Sequence, residues 1–266
     1  MPPSVKFAKV KFHYNTPIPT GASMQGYIIW IQKQKSEDLI IQILTPTELK
    51  TLYRFYGARH SIIHLGRKID FTQEHNGIFM PKLRNIMHLG FSWEREAERL
   101  YVWQRFTLLL HRHLRDISVI DEEYFRILDS GAHRLGSQNP KRVALEMYAQ
   151  ILQLEGRNPL SQRCIICERG FGEEGDSSVR ESIQQGFLDI GADSGARDRA
   201  RETARLIPHA NTPIRVLHAF VSAHVECATG EILPYGKLES YLRSASTIAL
   251  DDEEIERAYR VLLCGM

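Results

Sequence analysis

The chain has 266 residues, 43% of them hydrophobic and 25% charged, and a formal net charge of +2. That length can bury a substantial core, in one large domain or about two to three small ones, but the near-neutral balance excludes a uniformly basic polyanion binder, so any basic surface has to be local. No apolar run reaches the roughly 18 residues of a membrane span and the N-terminus lacks the apolar stretch of a secretory signal, so the expectation is a soluble, cytoplasmic protein with no membrane partner.

Residues 1–23 carry Lys6, Lys9 and Lys11, no acid, and Pro2, Pro3, Pro17 and Pro19. They are expected to form a basic, flexible N-terminal extension, although the alternation in VKFAKVKF also suits an edge strand. Residues 24–91 predict a succession of short strands. GYIIWIQ, DLIIQIL, LKTLYRFY, KIDF, GIFM and IMHLGF are rich in β-branched and aromatic residues and are separated by turn formers. None alternates with a long helix, which excludes a doubly wound parallel sheet. A small antiparallel barrel of OB type fits.

The period then becomes helical. Trp93, Ala97, Leu100, Trp103, Phe106 and Leu110 share one face of a helix reaching about Arg115, with Ser92 as its cap. A second helix runs from about Asp121 to Gly136, with Phe125, Leu128, Ala132 and Leu135 on one face. A third opens at Asn139-Pro140, a cap followed by proline at the first helical position, and stops before Gly156. Short links make residues 92–160 a helical bundle. Residues 161–230 hold a CxxC and the polar stretch GFGEEGDSSVRESIQQGFLDIGADSGARDRARETAR, expected to be a mobile loop. Residues 231–266 close the chain with helices expected to pack on the bundle. In LDDEEIERAYRVLL, Asp251 is the cap and Glu254 stands three residues on, as in a capping box. The fold class is therefore α+β and multidomain: barrel, helical bundle, and a small zinc-binding insertion.

Between Met24 and Ser92 nine Lys/Arg face five Asp/Glu, an excess twice the charge of the whole chain. Such a surface draws a phosphate backbone by counterion release. The cations expected to contact single-stranded DNA are Lys33, Lys35, Arg54, Arg59, Arg67 and Lys68. Trp30, Tyr53 and Tyr56 offer rings on which unpaired bases can stack. Arg54 alternates with Leu52 and Tyr56 and is expected to point outward.

Cys164-x-x-Cys167 and His224-x-x-Cys227 have the short spacing within each pair of a structural zinc knuckle. Three thiolates and one imidazole close a tetrahedral shell with no open position, which argues for structure over catalysis. The long segment between the pairs is tolerable because loop-closure cost grows only logarithmically. Cys264 is expected to pack in the last helix, and His111 and His113 to cap or face solvent. His224-Val225-Glu226 also matches the H-x-E of zinc deaminases, but there the CxxC follows the H-x-E and here it precedes. Gly170, Gly172 and Gly175 spell GxGxxG in an acidic loop with no preceding strand, which does not suit phosphate. The reading is of a protein that is not an enzyme.

MQGYIIWIQKQKSEDLIIQILTP followed by LYRFYGARHS resembles the opening of the RecO family: a strand, an acidic turn, a second strand ending in Thr, and a Gly-Ala-Arg segment. The likeness continues through MPKLRNIMHLGFSW, QNPKRVALEMY, CIIC, SAHVEC and DDEEIERAYRVLL, and is nearest to the shorter RecO proteins of Campylobacter- and Helicobacter-like bacteria. The resemblance implies an OB barrel, a helical domain and a zinc-binding element. It also implies a DNA-repair and recombination mediator that binds single-stranded DNA and anneals complementary strands. Its partners would be RecR, with which it loads recombinase, and the tail of single-strand-binding protein; its location would be the cytoplasm, at the nucleoid. Residues 1–23 precede the usual start of the family, so Met24 is a candidate initiator, and the spacing inside the zinc element is longer than usual.

Overall fold

The computed structural model describes residues 22–34, 37–55, 62–75, 77, 79–115, 117, 120–171 and 210–266. The expectations for the N-terminal extension, for the polar stretch 172–209 and for Lys35, Tyr56 and Arg59 lie outside the described residues.

Five strands come first: β1 (Met24–Lys33), β2 (Leu39–Leu44), β3 (Leu49–Arg54), β4 (Lys68–Glu74) and β5 (Lys82–His88). They close into a barrel in the order β1-β2-β3-β5-β4, consistent with the OB type. Every pairing is antiparallel except β3 with β5, which is parallel at Tyr53 and Lys82. The expected all-antiparallel barrel is corrected at that seam. Because β4 returns to pair with β1, β5 is left between β4 and β3 and must run the same way as β3.

Strand alternation sends Ile28, Leu39, Ile41, Ile43, Leu52, Ile69, Phe71 and Leu83 into the barrel. The other set of β1, Tyr27 and Ile29, joins the core of the helical body. This strand is apolar on both faces because it is buried on both faces. GIFM is not a strand: Gly77, Phe79 and Met80 lie in the loop between β4 and β5, and Gly77 has φ +59°, which suits a turn.

A short 3-10 turn, Ser92–Arg95, precedes α1 (Ala97–His113). Ser92 caps neither; Phe91 is the cap of the 3-10 turn, and its N–H donates to the Glu94 carboxylate at 2.9 Å. Next come α2 (Glu122–Arg134) and α3 (Pro140–Leu154). Asp121 caps α2, and Asn139 caps α3 by accepting from the N–H groups of Lys141 and Arg142. Strands β6 (Pro213–Val216), β7 (Ser222–Ala223) and β8 (Glu231–Pro234) form a sheet in the order β7-β6-β8. The helices α4 (Tyr235–Ser244) and α5 (Asp252–Leu263) follow, the latter with the expected capping box of Asp251 and Glu254. The expected boundary at 230 runs through a sheet, since β8 pairs with β6. Helix α3, buried along Val143, Leu145, Met147, Tyr148, Ile151 and Leu152, is the spine of the body. Phe220 ties the small sheet to it, with its ring 5.4 Å from Tyr148 and 5.9 Å from Tyr241.

Helix α1 lies along β1 in the same sense. Trp103 meets Tyr27 at 5.7 Å, and further on His111 stacks on Trp30 at 5.4 Å with planes 5° apart. Trp103 Nε1 donates to the Gly66 carbonyl at 2.7 Å. Tyr27 Oη and Lys68 Nζ both donate to Asp129 of α2 at 2.6 Å. Among the described residues no helix is long and apolar enough to cross a membrane.

Candidate functional site

One end of the barrel carries Tyr27, Lys68 and His88 toward the helices. The opposite end is a rim made by the last residues of β1, β3 and β4 and the first of β2 and β5. Register puts Lys33, Leu39 and Arg54 in one row, and Tyr53, Lys82 and Glu74 in the next. Lys33 is exposed.

Arg54 does not point outward as expected. It shares the row of Lys50 and Leu52, and Leu52 is 1% exposed inside the barrel. The guanidinium therefore enters the mouth, where Nη1 donates to the Leu83 carbonyl at 3.1 Å and the buried Nε has no partner. Burial, then Arg84, lowers its pKa below the ordinary guanidinium value.

The outer side of the rim is aromatic and basic. Tyr53 donates its hydroxyl to Asp38 and stands edge-on to Phe55 at 5.1 Å. Lys82 Nζ lies 5.0 Å over the Phe55 ring. Phe55, Phe79 and Met80 are 45%, 71% and 41% exposed. Sequence reasoning missed these three because LKTLYRFY and GIFM read as strands, whose rings are expected in the core. The signal that marks Phe79 and Met80 as a loop is their bracket, His75-Asn76-Gly77 before and Pro81 after.

Of the six expected DNA contacts, the four among the described residues fall in two places. Lys33 and Arg54 share the rim. Arg67 and Lys68 sit at the barrel–helix seam, where Arg67 pairs with Glu94 at 3.6 Å and Lys68 with Asp129 at 2.6 Å. Trp30 is committed to His111, and Tyr53 to Asp38 and Phe55.

Cys164, Cys167, His224 and Cys227 converge, with all four ligand atoms within 4.8 Å of one another. His224 Nδ1 is 3.3 Å from Cys167 Sγ and 3.9 Å from Cys227 Sγ. A tetrahedral ion with metal–sulfur bonds of about 2.3 Å needs ligand atoms about 3.8 Å apart, so the donor set fits zinc. The knuckle is built by its backbone. Ile166 N and His224 N donate to Cys164 Sγ at 3.4 Å, and Glu168, at φ +61°, returns its N–H to the Cys164 carbonyl at 2.9 Å. The Arg169 backbone N–H, followed by its side chain, holds the Cys167 thiol down at about 6, while desolvation, then the neighbouring thiols, pushes Cys227 up to about 11. Phe171 closes one side, 4.9 Å from the His224 ring. Ile165 and Ile166, between the first two cysteines, are exposed. Cys264 takes no part; contrary to expectation it is exposed, at the end of α5. His113 reaches Glu155, with which Tyr124 also bonds.

A closed five-strand barrel joined to a helical body that holds a Cys3His cluster able to take a metal ion is the class these observations define. Residues 24–94 match the family model described as RecO N terminal, which supports a RecO family member and points to a role in DNA repair or recombination. The match covers the barrel and the 3-10 turn after it. No curated protein matches the chain.

Proposed function

We propose that this protein is a recombination and repair mediator that holds single-stranded DNA on the barrel rim and brings complementary strands together. The observation that carries the reading is the Lys82 ammonium 5.0 Å over the exposed Phe55 ring, at the barrel end that also presents exposed Lys33 and, in the loop before β5, exposed Phe79. Bases stack on exposed aromatic faces without regard to sequence, and cations follow the backbone. Lys35 and Arg59, which lie outside the described residues, remain candidate contacts in this reading. Arg67 and Lys68 are assigned to the seam, since their charge is compensated there. No covalent step is required, so annealing proceeds without ATP. A RecR-type partner, recombinase loading, the tail of single-strand-binding protein and a cytoplasmic, nucleoid-associated location belong to this reading through the family match. Zinc at Cys164, Cys167, His224 and Cys227 is structural, since four protein ligands leave no open position for substrate.

The alternative is a scaffold whose barrel docks protein, favoured by the apolar side chains Phe79 and Met80 on the rim. Fluorescence anisotropy with labelled oligothymidine across a salt series separates the two. Steep loss of affinity with salt is the expected result; the absence of salt-dependent single-strand binding by the full chain overturns the DNA reading.

A further inference from the structure

Ion pairing is the rule on the helical surface. Arg99 is held by Glu96, Arg126 by Glu122 and Glu123, Arg243 by Glu239, Arg257 by Glu253 and Arg260 by Glu231. Three cations of α1 and the turn after it depart from it. Among the described residues no carboxylate lies within ion-pair distance of Arg105, Arg112 or Arg115, all three exposed.

They also share a line. At about 100° per residue, Tyr101, Arg105, Leu108, Arg112 and Arg115 fall within about 40° of one line along α1 and the turn after it, a stripe about 20 Å long. Its aromatic member, Tyr101, is 55% exposed with the Arg105 guanidinium 5.9 Å from its ring. The opposite face is the buried one, with Val102, Trp103, Phe106, Leu110 and Leu114.

The stripe leads to the barrel. Because α1 runs along β1 in the same sense, its basic end lies toward the rim. His111, next to Arg112, stacks on Trp30, and Lys33 stands three residues beyond Trp30 on β1. Burial, followed by Arg112 and then Arg115, lowers the pKa of His111, so both guanidiniums bear on that stack.

We infer that this face of α1 is a second phosphate track, over which single-stranded DNA leaving the rim passes by way of the Trp30–His111 stack. Exposed guanidiniums in a row, unpaired with any carboxylate among the described residues and with an exposed ring at one end, suit an unpaired polynucleotide: phosphates meet the arginines and a base can lie on Tyr101. The inference rests on the DNA reading above and extends it from the barrel to the helical body, which lets one molecule hold a strand longer than the rim alone can cover.

The test uses the full chain with labelled oligothymidines of about 8 nucleotides, within the site size of one OB barrel, and of about 30. Replacing Arg105, Arg112 and Arg115 together by Glu is expected to weaken binding of the longer strand at least tenfold at low salt. Replacing the same three by Gln is expected to lower the slope of log affinity against log salt by about 2, from three contacts at about 0.7 each. The shorter strand is expected to bind all forms alike, and Arg126→Glu on α2 to change neither. Wild-type protein that binds both strands, beside a Gln variant with undiminished affinity and slope for the longer one, overturns the track and leaves the rim reading standing. Wild-type protein with no salt-dependent binding to either strand overturns the rim reading and the track with it.

Discussion

At the scale of single residues, the metal ligands and the rim rings differ in what their loss should do. His224 has Nδ1 close to two thiols and is 5% exposed, so its removal takes one of the four donors from a half-buried Cys3His set. Cys167→Ser and His224→Ala are each expected to release bound zinc and lower the melting temperature; metal content by atomic emission and a thermal melt check this. Phe79 is 71% exposed and supports no core. Phe79→Ala is expected to leave the melt unchanged and to cost about 1–3 kcal/mol of single-strand affinity, the worth of one stacked base. The ligands were legible in the chain because spacing within a pair is a local property. Phe79 was not, because a ring in a short apolar run looks the same whether the run is a strand or a loop.

Among elements, the joint between α1 and the barrel depends on Gly66. Its φ is +83°, and a Cβ there would come 2.6 Å from Trp103, whose indole N–H bonds to the Gly66 carbonyl. Gly66→Ala is expected to destabilise the fold by about 1–3 kcal/mol in a denaturant titration followed by tryptophan fluorescence. The second joint is Asp129. Burial pulls its pKa up, but the bonds from Lys68 and Tyr27 outweigh this and hold it below the ordinary carboxylate value. A carboxyl depressed in the folded state stabilises above its unfolded pKa, about 3.9, and the contribution is lost as pH falls through the folded value. The seam is therefore expected to loosen only in acid, below about pH 4, and Asp129→Asn to lose most of that acid dependence while costing about 1–3 kcal/mol at neutral pH. Near-ultraviolet circular dichroism against pH reads both. Caps at this scale were readable in advance at Asn139 and Asp251, where a side chain meets N–H groups two or three residues on; at Asp121, which also caps, only the approximate helix start was read. The cap assigned to Ser92 failed because the chain makes a 3-10 turn there and α1 begins five residues later, at Ala97.

For the whole molecule, the barrel keeps its own interior while β1 lends its outer face to the core shared by the helices, the small sheet and the Cys3His cluster. The barrel is joined to the body by the packing of α1 on β1 and by the bonds of Tyr27 and Lys68 to Asp129 of α2. Strand annealing is expected to be unaffected by ATP and to fall at least tenfold between about 50 and 200 mM salt, as several phosphate contacts are screened; a fluorescence-quenching assay on complementary oligonucleotides measures both.

What the chain alone determined is what neighbours in sequence decide: strand alternation, helix period, two caps, and the pairing of candidate ligands within CIIC and HVEC. Whether a charge is available to a ligand was decided only in three dimensions. Lys68 and Arg67 read as free cations until the fold sets Asp129 and Glu94 against them, and nothing in the local sequence singled out Arg105, Arg112 and Arg115, which no carboxylate among the described residues meets. Electrostatic compensation depends on distance in space between residues far apart in the chain, and no local pattern encodes it.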